Sequence, residues 1–234
     1  MPSSPSRVVR RIGGTREGVS QLLLPGVYAP QDDTALLAQV LAGETLRPGA
    51  RVLDVGTGSG ALALAAARRG AQVTAVDVSR RAVWTTRLNA WRERVPVHAV
   101  RGNLFDPVRD LSFELILANP PYVPAPGTGS GHGRSRAWDA GCDGRHVLDR
   151  ICRQAPGLLR PGGVLLLVHS VLSGPDRTLE LLRASGAKAS VVRRRWIGFG
   201  PVLRARQEWL RERGLLDASD DKEELVVVRA ERPC

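Results

Sequence analysis

The residues best suited to chemistry are Asn119-Pro120-Pro121-Tyr122, which close the apolar run Phe113-Glu114-Leu115-Ile116-Leu117-Ala118. Proline has no backbone N–H, so two in succession stop a sheet ladder and leave a stiff, extended segment. The Asn119 side-chain oxygen and the Pro120 carbonyl can accept both hydrogens of an NH2 group, and the prolines offer no N–H to compete. The Tyr122 ring can pack on a planar group carrying that nitrogen. Fixing both N–H bonds aims the nitrogen lone pair. A carboxamide or adenine amino nitrogen is a weak nucleophile, so alignment is the main lever, worth up to roughly 7–11 kcal/mol in favourable cases. Two accepted hydrogen bonds also stabilise the positive charge that builds on nitrogen. Asn119, Pro120 and Tyr122 are therefore candidate catalytic residues. With Pro121, and with Trp138 as a wall, they are also the candidate substrate pocket.

A second constellation is Arg51-Val52-Leu53-Asp54-Val55-Gly56-Thr57-Gly58-Ser59-Gly60-Ala61, which reads as strand, tight turn and helix start. The glycines permit a sharp turn and let a ligand approach the main chain. The spacing Gly56-x-Gly58-x-x-Ala61 also satisfies a loose dinucleotide fingerprint. Asp54 argues against a pyrophosphate: placed to face the crevice, it would repel phosphate and suit an ammonium or sulfonium cation. Asp77, about twenty residues on, ends the next strand and can accept hydrogen bonds from both ribose hydroxyls. Asn103, after the third strand, is placed to meet an adenine edge. Amino acid, ribose and adenine together describe S-adenosylmethionine better than a nicotinamide dinucleotide. The candidate cofactor residues here are Asp54, Gly56, Thr57, Gly58, Gly60, Asp77, Val78, Asn103 and Leu104, with Asn119 facing them.

The elements that must position these residues alternate. Strands are expected at Arg51–Val55, Gln72–Val76, Val95–Val100, Glu114–Ala118, Val164–Val168, Ala187–Arg193 and Leu225–Arg229. Helices are expected at Asp32–Leu46, capped by Asp32 or Asp33, and at Ala61–Arg69, Arg80–Trp91, Arg145–Leu159 and Pro175–Ser185. Such alternation predicts an α/β fold, a mostly parallel seven-stranded sheet flanked by helices on both faces. In that fold ligands bind beyond the carboxyl ends of the strands where strand order reverses. The first and fourth strands should be neighbours there, bringing the glycine turn to the Asn-Pro-Pro-Tyr segment. Residues 1–26 read as an N-terminal arm, loose over its first twenty residues, and 27–234 as one domain. An insert at about 198–222 mixes apolar residues with arginines; it predicts a surface helix packed on the sheet edge, with a docking element as the alternative. Residues 124–133 read as a mobile, glycine-rich loop.

The chain has 234 residues, 43% of them hydrophobic, enough for a sizeable core. No apolar run approaches the ~18 residues of a membrane span, and the N-terminus lacks a signal-peptide core, which predicts a cytoplasmic protein. The net charge is +11. Lys188 and Lys222 are the sole lysines, and the scattered arginines are compatible with a polyanionic partner such as RNA without requiring one. Cys142, Cys152 and Cys234 form neither a disulfide framework nor a metal pattern, and no metal is expected. His132 and His146 read as surface residues, His98 and His169 as core or edge residues.

Taken together, the glycine turn, Asp77, Asn103 and the Asn-Pro-Pro-Tyr segment resemble the class I S-adenosylmethionine-dependent methyltransferases, with their Rossmann-like fold. Within them the chain is similar to the HemK/PrmC family, whose members methylate a glutamine amide of peptide-chain release factors. The segment Val27-Tyr28-Ala29-Pro30-Gln31-Asp32-Asp33-Thr34 resembles one that covers the cofactor in the shorter HemK-related branch. This adds Tyr28, Pro30, Asp33 and Thr34 to the cofactor residues. Ala137 to Arg145 resembles that branch's substrate-side loop. The chain has too few residues before Tyr28 for the N-terminal helical domain of the bacterial enzymes. The resemblance implies S-adenosylmethionine as cofactor and S-adenosylhomocysteine as product. It implies a translation factor as substrate and, in the shorter branch, often a small zinc-binding activator. An adenine amino group of RNA or DNA is the alternative substrate. A cofactor-binding factor without catalysis is a further alternative.

Overall fold

A computed structural model of the chain describes residues 21–127 and 138–234. Seven strands form one sheet: β1 (Arg51–Val55), β2 (Gln72–Asp77), β3 (Val97–Arg101), β4 (Phe113–Ala118), β5 (Leu159–Ser170), β6 (Lys188–Gly198) and β7 (Lys222–Glu231). Their order is β3-β2-β1-β4-β5-β7-β6. β1 pairs in parallel with both β2 and β4, and β7 lies antiparallel to β5 and β6. The reversal of strand order therefore falls between β1 and β4, where the sequence placed it. The helices are α1 (Asp32–Gly43), α2 (Ala61–Ala67), α3 (Arg80–Glu93), α4 (Leu148–Leu158), α5 (Pro175–Ala184) and α6 (Pro201–Glu212).

Successive side chains of a strand point to opposite faces of the sheet. Val52, Leu115 and Leu117 pack with Leu36 and Leu37 of α1 and with α2. Leu53, Ile116 and Ala118 pack with Leu148 and Ile151 of α4. The central strands are thus buried on both faces, as parallel strands require, and read as near-continuous apolar runs. Ile116 and Leu117 have no accessible surface; truncating either to alanine should cost about 2–5 kcal/mol.

This alternation carries forward to the site. Leu115 and Leu117 face α1, so Asn119, the next residue of that parity, also faces α1. On β1, Asp54 shares the face of Val52 and so points beneath α2.

Two expectations are corrected. Neither Asp32 nor Asp33 caps α1. Gln31 holds the cap position with no side-chain bond, and both aspartates lie in the first turn, where negative charge favours the helix dipole. β5, β6 and β7 each extend beyond the apolar run that announced them. The backbone ladders continue through His169 and Ser170 of β5 and through Arg194, Arg195 and Glu224 of β6 and β7, whose polar side chains hid them. Beyond the first twenty residues the chain is packed on the domain: Leu23 is buried, and Asn89 of α3 accepts from Leu22 N at 2.9 Å and donates to Leu22 O at 3.0 Å. His132 and residues 128–133 of the glycine-rich loop fall outside the described residues.

Candidate functional site

A cavity of about 800 Å³ opens across the carboxyl ends of β1, β2 and β4. Its lining brings together Tyr28, Pro30, Asp33, Thr34, Gly56, Thr57, Gly58, Asp77, Val78, Asn103, Leu104, Asn119, Pro120, Pro121, Tyr122 and Trp138. Asp54 and Gly60 are outside it.

Asp54 is buried and its Oδ2 accepts from Thr57 Oγ1 at 2.6 Å and from Ala63 N at 3.1 Å. It ties the turn to the first turn of α2 rather than facing the crevice. Burial pushes its carboxyl up to about 6, against the opposing pull of those two hydrogen bonds. Its Oδ1 is buried with no partner. Gly60 has φ +87°, and a Cβ there would lie 2.9 Å from the Thr86 side chain. Close packing of the turn on α3 demands that glycine, not a ligand.

Four of the turn's amides are engaged within the protein. Gly56 N and Thr57 N donate to Val76 O at 2.8 and 3.1 Å, and Gly60 N donates to Thr57 O at 2.8 Å. Gly58 N donates to Asp77 Oδ2 at 3.0 Å. Those four N–H groups are therefore not offered to a pyrophosphate. Gly56 and Gly58 have φ +72° and +56°; a Cβ at Gly56 would meet no atom within 4 Å, and one at Gly58 nothing nearer than 3.9 Å. The turn therefore presents open backbone surface to the cavity. Asp77 is fixed by Gly58 N and by Ser79 N at 2.8 Å, and burial raises its carboxyl. Two apolar side chains, exposed Val78 and half-buried Leu104, flank the far end with Asn103. Leu104 holds φ +51°, a left-handed conformation uncommon for such a residue. Arg150 Nη1 donates to Asn103 Oδ1 at 3.4 Å.

The opposite wall is organised by Asp33. Both tyrosines of the chain donate to its Oδ2, Tyr28 at 2.9 Å and Tyr122 at 3.2 Å. Its Oδ1 accepts from Thr34 N at 2.5 Å and from Thr34 Oγ1 at 3.2 Å. Burial and the neighbouring Asp33 charge push both phenols well up, so they remain donors. Asn119 Nδ2 donates to Thr34 Oγ1 at 3.1 Å. Because that hydroxyl gives its proton to Asp33, it must accept from Asn119, which fixes the amide nitrogen there. The carboxamide oxygen, on the opposite arm of the planar amide, consequently points away from Thr34. Tyr122 departs from expectation. It is 9% exposed, its hydroxyl is committed to Asp33, and it braces the wall instead of offering a free ring to a substrate. Its carbonyl accepts from Ser173 Oγ at 2.7 Å, and Gly144 packs against that carbonyl so closely that a Cβ would lie 2.3 Å away.

Sequence reasoning missed several participants. Exposed His146, read as a surface residue, lines the outer wall, as do Arg80, Arg81 and Arg150. Glu223, buried at the start of β7, carries an unpartnered Oε2. Burial pushes it up to about 7, eased by a Ser170 hydrogen bond and reinforced by Asp33. No local motif marks it; strand pairing alone brings it near Asp33. His98 is exposed on the edge strand β3, and His169 is buried. Burial lowers His169 to about 4, leaving a neutral ring whose Nδ1 donates to Ser170 O at 2.9 Å.

Residues 21–131 match the family model "Methyltransferase small domain". MJ0928 of Methanocaldococcus jannaschii, which bears a protein N5-glutamine methyltransferase name, is 33% identical over 189 residues, covering 80% of this chain and 94% of that protein. Human methyltransferase HEMK2 is 32% identical over 181 residues, covering 74% and 85%. The chain belongs to the HemK family of methyltransferases. It is an S-adenosylmethionine-dependent enzyme with the Rossmann-like class I fold. The release factor glutamine methyltransferase of Gloeobacter violaceus is 37% identical over 193 residues, but the match spans only 66% of its length. Among solved structures, the Encephalitozoon cuniculi Mtq2–Trm112 complex, described as methylating the eRF1 termination factor, superposes with TM-score 0.61 at 24% identity, covering 88% of this chain and 99% of that one. Thermus thermophilus RsmC, solved with AdoMet and guanosine, gives 0.62 at 21% identity, covering 98% and 52%. At these identities the likeness speaks for the fold. No helix among the described residues is long and apolar enough to cross a membrane.

Proposed function

We propose that this enzyme methylates the side-chain amide nitrogen of a glutamine in a translation release factor or a similar protein. The observation that carries the reading is the Asn119 carboxamide, pinned by Thr34 and Asp33 at the rim of the cavity that the glycine turn also lines. Bound S-adenosylmethionine supplies an electrophilic methyl group. The residues present fit it: open backbone surface at Gly56 and Gly58, the fixed Asp77 carboxylate for ribose hydroxyls, and apolar Val78 and Leu104 beside Asn103 for a planar base. Tyr28, Pro30, Asp33 and Thr34 close the cavity from above α1. The orphaned Asp54 Oδ1 provides negative charge under the turn, one layer from the cavity.

The residues of the Asn-Pro-Pro-Tyr segment act on the substrate. The Asn119 oxygen and the Pro120 carbonyl accept the two N–H groups of the target amide and aim its lone pair toward the glycine turn. Both acceptors are held before substrate arrives, Asn119 by Thr34 and the proline segment by its own stiffness and by Ser173 behind Tyr122. Preorganised dipoles of this kind need no rearrangement as positive charge develops on nitrogen. The proton leaves after transfer, so no strong base is required at the nitrogen. Trp138, half-buried on the cavity wall, flanks the entering side chain.

Residues 27–234 are proposed to act as one catalytic domain in the cytoplasm. A translation factor is the partner in this reading. Because the Mtq2 structure is a complex with Trm112, a small activating subunit is included as a requirement to be tested by assaying the chain alone. The experiment is incubation with labelled S-adenosylmethionine and purified release factor, followed by peptide mapping. The expected product is one methyl on a glutamine amide. Label that survives protease and disappears with RNase contradicts the reading in favour of a nucleic-acid adenine.

A further inference from the structure

The antiparallel ladder of β6 and β7 ends at the pair Gly198 and Lys222. A two-residue turn suffices to close such a hairpin. The chain instead makes an excursion over residues 199–221 that contains α6. Phe199, Leu203, Leu210 and Leu216 form a small core of their own, packed against Val123 and Leu172. The insert therefore does not simply lie on the sheet edge. It sits on the segment that leaves the Asn-Pro-Pro-Tyr motif.

That segment is itself a thin structure. Val123 N donates to Trp138 O at 3.0 Å, Ala140 N to Val123 O at 3.2 Å and Ala125 N to Gly141 O at 2.9 Å. Among the described residues these bonds join the two sides of the substrate wall. Arg206 of α6 clamps them from outside. Its Nη1 donates to Pro124 O at 3.0 Å, and its Nη2 pairs with the Asp139 carboxylate. One guanidinium thus binds one residue from each side of the ladder, and the ion pair is largely covered, with side chains 18% and 14% exposed. A planar fork with several fixed donors does this where a lysine ammonium presents a single point charge.

We propose that α6 is a substrate-selecting clasp and that Arg206 is a positioning residue. By locking Pro124 to Asp139 it sets where Trp138 stands, and so which polypeptide loop can bring a glutamine to Asn119. The proposal rests on the glutamine reading. It assigns to the insert no contact with the cofactor half of the cavity.

The test compares wild type, Arg206→Ala and Arg206→Lys in steady-state methylation of a purified release factor. Binding of S-adenosylhomocysteine and amide hydrogen exchange are measured on the same proteins. Arg206→Ala should raise KM for the release factor by about tenfold or more with kcat changed less than about threefold, since a partly buried pair is broken away from the reacting atoms. S-adenosylhomocysteine affinity should stay within about twofold, as the site it probes is untouched. Exchange at Val123, Ala125 and Ala140 should accelerate, while Gly58 and Ser79 exchange as in wild type; Arg206→Lys should restore part of the KM. An unchanged KM, or a rise in KM matched by an equal loss of S-adenosylhomocysteine affinity, overturns the clasp. Should Arg206→Ala fail to fold, Asp139→Asn carries the same expectations. Wild type that leaves the release factor unmodified both alone and with a Trm112-type subunit added refutes the glutamine reading and, with it, selection by the clasp. Exchange then still decides whether Arg206 holds the two segments.

Discussion

The two walls of the cavity are built in different ways. The wall under the glycine turn comes from two short stretches, Asp54–Gly60 and Asp77–Ser79, whose hydrogen bonds run mainly among themselves, their adjoining strands and the helices that follow, with Gln21 as an outlying partner. The facing wall is assembled from segments far apart in sequence: Tyr28–Thr34, Asn119–Tyr122, Trp138–Gly144, Ser170–Ser173 and α6. The first is local and stiff because parallel β-strands fix it. The second depends on one buried carboxylate, Asp33, that gathers four donor contacts and passes order to Asn119 through Thr34. Binding and chemistry should therefore be separable by mutation, and each wall should fail in its own way.

The sharpest break is Asn119→Ala. It removes the preorganised acceptor while leaving the glycine turn intact. The expected loss in kcat is about a thousandfold, with S-adenosylhomocysteine affinity kept within roughly tenfold; isothermal titration beside steady-state kinetics reads both. Asp77→Ala should do the converse. Losing a charged acceptor for hydroxyls should weaken S-adenosylmethionine binding by about 10–100-fold, with most of kcat recovered at saturating cofactor.

Glu223 sharpens the comparison through pH. Its carboxyl is pushed up to about 7 in the folded protein, chiefly by burial, from an ordinary value near 4.3 in the unfolded chain. Between those values the folded state keeps a proton that the unfolded state has lost. Stability from this group is therefore full at low pH and falls as pH rises toward about 7, by about 1–3 kcal/mol. Glu223→Gln should remove that fall: melting temperatures of variant and wild type should draw apart in the variant's favour from pH 5 to pH 8. Parallel curves would contradict it.

The smallest expected effect is that of Thr34→Val. It keeps the shape but breaks the link from Asp33 to Asn119, and kcat should fall by about tenfold, the worth of one buried hydrogen bond. Cofactor affinity should change less than kcat does. If affinity falls first, the two walls are not separable at this point.

How much of this was legible in the sequence follows the same division. The alternation of strands and helices, the strand reversal between β1 and β4, and the meeting of the glycine turn with Asn119 could be read from apolar runs and turn residues, because those patterns are local. Asp54 was misplaced for want of one step: the parity of Val52 already sends its side chain beneath α2. Gly60 was read as serving a ligand, when Thr86 of α3 is what excludes a Cβ. Tyr122 offered no local sign that a carboxylate from α1, eighty-nine residues away in sequence, would capture its hydroxyl. Glu223 and Arg206 lay in segments without a motif. Long-range pairing gives them their surroundings, and neither composition nor spacing records it.

The most direct measurement is a crystal structure of the enzyme with S-adenosylhomocysteine and a glutamine-bearing peptide. The account predicts the glutamine amide nitrogen within hydrogen-bond reach of both Asn119 Oδ1 and Pro120 O, with Asn119 Nδ2 still on Thr34. A glutamine bound elsewhere, or an Asn119 carboxamide turned with its oxygen toward Thr34, would contradict it.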